Sequence, residues 1–155
     1  MTATTAPTEA PDDVTPTTAA IETTDEIKRS LSYLGNTARL QSVIEKARAG
    51  ENVTIACIGG SITEGYKVNK SECYASLLKN YFTTEYSNNN IKLVNAGISG
   101  TPSNIGLMRL YNDVLSKSPD LVVVEFAVND GQDILTQMMY DSLVRDCLTC
   151  ETKPA

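Results

Sequence analysis

The chain has 155 residues, 41% hydrophobic and 21% charged, with a formal net charge of −6 and no histidine; this makes one domain at most and excludes a wholly disordered protein. Six of its nineteen acids, Glu9, Asp12, Asp13, Glu22, Asp25 and Glu26, precede the first base, Lys28, so the remainder carries thirteen acids against thirteen bases. That neutral remainder lacks the basic stripe that a nucleic-acid partner would need.

Residues 1 to 25 are dominated by Thr, Ala and Pro, with Val14 and Ile21 as the sizeable aliphatic residues. Such a segment cannot bury enough surface to offset its chain entropy, so a disordered linker is expected, whether a tether of the kind found in exported proteins or a tail of another origin. The start has no basic region followed by an apolar one, and nowhere is there an apolar run near bilayer length. No membrane partner is expected, and any export signal would lie outside this chain.

Gly35-Asn36-Thr37 then introduces Leu40, Val43, Ile44 and Ala47 at helical spacing, closed by Gly50. Val53 to Ile58 is a short apolar run suited to a strand covered on both faces. A second helix follows Ser71, with Tyr74, Leu77, Leu78, Tyr81 and Phe82 on its apolar side, and ends near Asn88-Asn89-Asn90. Ile91 to Asn95 reads as a second strand. Ser103 is expected to cap a third helix that buries Leu107, Leu110, Tyr111 and Val114. Pro119-Asp120 leads into the strongest strand, Leu121 to Phe126, and after the Asn129-Asp130-Gly131 turn a last helix spans about Leu135 to Leu148.

This alternation calls for an α/β fold, a three-layer αβα sandwich with a parallel sheet of about three strands and right-handed crossovers. Sheets of this type usually have about five strands, so residues 26–155 are expected to be the N-terminal portion of a domain that lacks its last part and leaves a strand edge unpaired. Four cysteines, Cys57, Cys73, Cys147 and Cys150, give no clear disulfide framework. Cys147-Leu148-Thr149-Cys150 has the CxxC spacing, but a structural zinc would need two further ligands and only Cys57 and Cys73 remain. Chance spacing is the plainer reading.

In a parallel sheet, ligands bind beyond the carboxyl ends of the strands. Gly59-Gly60-Ser61 ends the first strand, Asn95 to Thr101 ends the second, and Ala127-Val128-Asn129-Asp130 ends the third. Ser61 can supply a nucleophile and its own N–H, Gly100 a second N–H, and the Asn129 carboxamide a third donor, together an oxyanion hole. Singly, each loop is an ordinary turn; three at successive strand ends point to one site. A serine hydroxyl needs a base, commonly imidazole, and this sequence contains none.

Gly59-Gly60-Ser61-Ile62-Thr63, Asn95 to Gly100 and Val124 to Asp130 resemble the first three sequence blocks of the SGNH hydrolases, also called GDSL-type esterases, over a stretch from about Leu34 to Ala155. Two positions depart from the family pattern: Gly60 replaces a common Asp, and Ala127 stands where Gly is common. The family's C-terminal Asp-x-x-His, its base and orienting carboxylate, has no counterpart here, as truncation would explain. The resemblance implies a flavodoxin-like αβα sandwich and a serine esterase. Ser61 would be its nucleophile and Gly100 and Asn129 its oxyanion donors. It implies no metal or organic cofactor. The flavour is that of bacterial carbohydrate esterases, secreted or at the cell surface, with acetylated polysaccharides or other small esters as substrates. As it stands the chain is expected to be nearly inactive.

Two other functions fit some of the same residues. A non-catalytic module could hold a carbohydrate in the same cleft. Gly60-Ser61-Ile62-Thr63-Glu64-Gly65 has the glycine spacing of a phosphate-binding loop, but Tyr66-Lys67 stands where Lys-Ser/Thr is required. Glu64 and Asp130 read as solvated loop acids, Glu125 needs partners or solvent, and Tyr66 either stacks on a sugar or packs on the second helix.

Overall fold

Alternate residues of the strand Val53–Gly59 (β1) serve opposite sides of a sheet, and both sides are buried. Val53, Ile55 and Cys57 face one apolar cluster, and Ala56 and Ile58 face another. A strand of this kind has to be central. In the computed structural model, which describes residues 25–33 and 35–155, β1 lies between Ile91–Gly97 (β2) and Leu121–Glu125 (β3), in the order β2-β1-β3. Both pairings are parallel, with Val53 opposite Ile91 and Ile55 opposite Leu121.

The chain divides into two units, up to Leu34 and from Gly35 to Ala155. The first includes the six-residue helix Asp25–Ser30 (α1). The expected linker over residues 1 to 25 lies outside the described residues except for Asp25. In the second unit, Ala38–Arg48 (α2) brings Val43 and Ala47, and Tyr74–Glu85 (α4) brings Ala75 and Phe82, onto one side of β1. Ser103–Asp113 (α5) brings Leu110, and Ile134–Thr149 (α6) brings Leu143 and Cys147, onto the other. The single turn of helix Ser61–Glu64 (α3) follows β1 directly. A sheet with helices on both faces is the αβα arrangement that the alternation of elements calls for.

Three local readings change. Of the apolar side expected on the second helix, Leu77 and Tyr81 are exposed, because the helix meets the sheet through Ala75, Leu78 and Phe82. Tyr111, expected in the core, is 70% exposed. Ser103 is the first helical residue rather than the cap. Pro102, extended at φ −82° and ψ 176°, takes the cap position, and the Asp130 carboxylate accepts the Ser103 N–H at 2.7 Å. The Ser103 hydroxyl is buried without a partner.

The outer edge of β3 carries one strand-like contact. Ala155 donates its N–H to Asp120 O at 2.9 Å and accepts the Val122 N–H at 2.9 Å, the pattern of a parallel bridge. Asp120 also ties the start of β3 to its neighbours: its carboxylate accepts from the Thr54 N–H at 2.8 Å and pairs with Lys46 of α2 at 2.6 Å.

Candidate active site

Beyond the C-terminal end of β1 the backbone enters α3 through Gly60, at φ −89° and ψ −146°. This turn is held from both sides. The Gly60 N–H donates to Glu125 O of β3 at 3.3 Å, and the Gly59 carbonyl accepts the Ile98 N–H of the second loop at 3.0 Å. A Cβ at residue 60 would overlap Asn129 Oδ1 and come within 3.5 Å of Thr101 O. The three loops therefore converge on one glycine, which explains why a small residue stands there.

Around that point lie the three residues singled out from the sequence. Ser61 is the first residue of α3 and is partly exposed. Gly100 is exposed, in a left-handed conformation at φ +73° with open space where a side chain would project. Asn129 is half-buried, with its carboxamide oxygen against Gly60. Among the described residues, the N–H groups of Ser61 and Gly100 donate to no carbonyl in the surrounding turns and loops, whereas the Asn129 N–H is taken by Phe126 O at 2.9 Å. Free donors at a helix start suit an anionic oxygen. Beside Asn129 is a cavity of about 230 Å³ walled by Pro102, Leu135 and Met139, with Asn104 at its polar side.

Several side chains that read as bystanders hold this arrangement. Glu64 is the solvated loop acid expected, with its side chain 34% exposed, and it is also a clamp. Its carboxylate accepts both the Ser99 N–H, at 2.8 Å, and the Ser99 hydroxyl, joining the nucleophile turn to the loop that carries Gly100. The Ser99 hydroxyl first, and then its N–H, keep the Glu64 carboxyl below the usual carboxylate range. Thr63, fully buried, shares a 2.9 Å hydrogen bond with the Tyr74 hydroxyl, and Asn95 donates to Thr63 O at 2.8 Å. Burial pushes the Tyr74 phenol up to about 12. Glu125, the odd acid of β3, accepts the Ala127 N–H at 3.0 Å and so shapes the third loop.

Other candidates fall outside the convergence. Tyr66 is 59% exposed, with the Lys67 ammonium 5.3 Å from its ring centroid. Cys147 and Cys150 lie at the far end of α6, whose 16 residues span roughly 24 Å at the usual helical rise. Among the described residues, no group of three or more metal-binding side chains gathers. The sequence reading missed Arg109 of α5, whose guanidinium reaches the Gly59 and Ala96 carbonyls beneath the site.

A parallel sheet between helical layers, with three loops meeting beyond the end of its central strand, defines an α/β protein of the three-layer αβα class. The model of the GDSL-like lipase/acylhydrolase family matches residues 57–149, and the chain belongs to that family. It is 30% identical over 111 residues to thioesterase 1/protease 1/lysophospholipase L1 of Escherichia coli (strain K12), covering 69% of this chain and 51% of that protein. A two-domain esterase (CEX) active on acetylated mannans is 40% identical, with a TM-score of 0.76 over 78% of this chain and 33% of that one. AlinE4, an SGNH-hydrolase family esterase, is 26% identical, with a TM-score of 0.55 over 63% of this chain and 53% of its own. The chain spans about half the length of the curated relatives it matches.

Proposed function

We propose that this chain carries the nucleophile and oxyanion hole of a serine esterase that deacetylates a carbohydrate. The supporting observation is the contact of Asn129 with Gly60, beside the unpaired N–H groups of Ser61 and Gly100. In this reading the Ser61 hydroxyl oxygen attacks the ester carbonyl carbon and passes its proton to a base. The carbonyl oxygen becomes an anion held by the Ser61 and Gly100 N–H groups and the Asn129 amide. Collapse expels the alcohol and leaves an acyl-serine, which water then hydrolyses. Each oxyanion donor would contribute about 3 kcal/mol to the transition state.

The 155 residues contain no histidine; in this reading the imidazole that serves Ser61 is supplied from outside them, and these residues alone would turn over ester feebly. A carbohydrate substrate draws its support from the 40% identity to an esterase active on acetylated mannans. A polymeric substrate of that kind favours work outside the cell or at its surface. No helix among the described residues is long and apolar enough to cross a membrane.

The lack of an imidazole also favours a second reading, a binding module that holds carbohydrate without cleaving it. Labelling separates the two. In the protein as its gene encodes it, a fluorophosphonate should mark wild type and leave Ser61→Ala unmarked. Equal marking of both would remove Ser61 from the chemistry, and a stop codon directly after codon 155 would favour the binding module.

A further inference from the structure

We propose that Arg109 is a positioning residue for this site, holding the two loops that bear Ser61 and Gly100 at their working separation. The proposal rests on the esterase reading above. Arg109 projects from α5 with its side chain only 12% exposed. Its Nη1 donates to Ala96 O at 2.6 Å, and its Nη2 donates to Gly59 O at 3.2 Å. Gly59 stands two residues before Ser61, and Ala96 four before Gly100, so one planar cation spans the roots of both loops. The same Gly59 oxygen also accepts the Ile98 N–H at 3.0 Å. Loop two and the guanidinium thus meet on a single carbonyl at the end of β1.

Two features separate this from ordinary packing. Arg109 sits on the sheet-facing side of α5, near Leu110 and Gly106, where an apolar side chain would fill space without desolvating a charge. Its Nε is buried with no acceptor, and its carboxylate partner, Asp113, at 3.0 Å, is itself 38% exposed. A cation kept there under-satisfied is poorly suited to stability alone. Its fork geometry suits the bridging of two carbonyls, which a lysine point charge cannot reproduce. A buried positive charge behind the loops also favours an oxygen turning negative in front of them.

The test compares Arg109→Lys and Arg109→Met in the protein as its gene encodes it. Amide NMR should show the Ser61, Ile98 and Gly100 signals shifting in both variants, more in Arg109→Met, with the Val53 to Ile55 amides unmoved. With p-nitrophenyl acetate, kcat should fall on the order of 10²-fold in Arg109→Met, the cost of a loop misplaced by about 1 Å, with KM nearly constant and Arg109→Lys intermediate. Unmoved Ser61 and Gly100 signals would overturn the proposal, as would a loss of rate that only follows the folded fraction. If Arg109→Met does not fold, Arg109→Lys carries both readouts. Full turnover by Ser61→Ala would sink the esterase reading instead, and the amide signals would still decide whether Arg109 holds the loops.

Discussion

Gly60 couples the nucleophile turn to Asn129, and the coupling has a measurable sign. A methyl at residue 60 meets the far end of a flexible side chain, so the cheapest relief is for the Asn129 carboxamide to swing away. Gly60→Ala should therefore keep the fold while lowering kcat by about 10²- to 10³-fold, the cost of one oxyanion donor. Gly60→Ala/Asn129→Ala should be no slower than Asn129→Ala alone, because both changes remove the same amide; losses that multiply would show that they act separately. Glu64 gives a pH test. Its carboxyl is held down by Ser99, so the clamp is complete above the ordinary carboxylate range and is lost as pH falls through the lowered value. The protection factor of the Ser99 amide, its exchange rate relative to the unstructured rate at the same pH, should fall on acidification in the wild type and change far less in Glu64→Gln. That the loops bearing Ser61, Gly100 and Asn129 meet is legible in the sequence, because the loops after successive parallel strands gather at one edge of the sheet. Arg109 is not, because an arginine on an amphipathic helix reads as solvated, and its carbonyl partners lie 13 and 50 residues away.

Among the elements, α2 is joined to the turn before β2 by one buried side chain. Asn88 is 2% exposed, donates from Nδ2 to Ala47 O at 3.0 Å and Glu51 O at 2.9 Å, and accepts the Asn90 N–H at 2.8 Å. Its removal strands polar groups in a dry place, so Asn88→Ala should cost about 1–3 kcal/mol in denaturant unfolding. Asn88→Asp should be at least as harmful, since a carboxylate would face two carbonyl oxygens; a neutral result for both would mean that water replaces the amide. Such a tie is invisible in a sequence where Asn88-Asn89-Asn90 reads as a plain turn. Apolar spacing located α2, α4, α5 and α6, but not which part of each apolar arc meets the sheet. Leu77 and Tyr81 satisfy the period as well as Phe82 does, yet they stay in solvent because α4 meets the sheet through Ala75, Leu78 and Phe82. The short helix α3 is absent from the sequence reading because its four residues carry no period to detect.

At the scale of the whole molecule, the sheet separates two cores, and each contains a thiol whose burial raises its pKa. Cys57 lies in the core under α2 and α4, and Cys147 in the core under α5 and α6; both are pushed up to about 11. In the unfolded chain these thiols ionise near 9. Their contribution to stability is therefore whole below pH 9 and is lost as pH rises towards 11, the unfolded state releasing protons that the folded state retains. Tyr74, at about 12, adds a similar loss only above the ordinary phenol range near 10. Tyr86 and Tyr140, also raised by burial, and Cys73, which is lowered, titrate near the same interval, so the share of one thiol from pH 9 to 10 is read as a difference between wild type and variant. From pH 9 to 10 the unfolding free energy of the wild type should fall, relative to that of Cys147→Ala, as pH rises, the difference in slope being the contribution of that one thiol. An unchanged slope in that variant would mean that the folded chain ionises as readily as the unfolded one, and that the core around α6 admits water to Cys147.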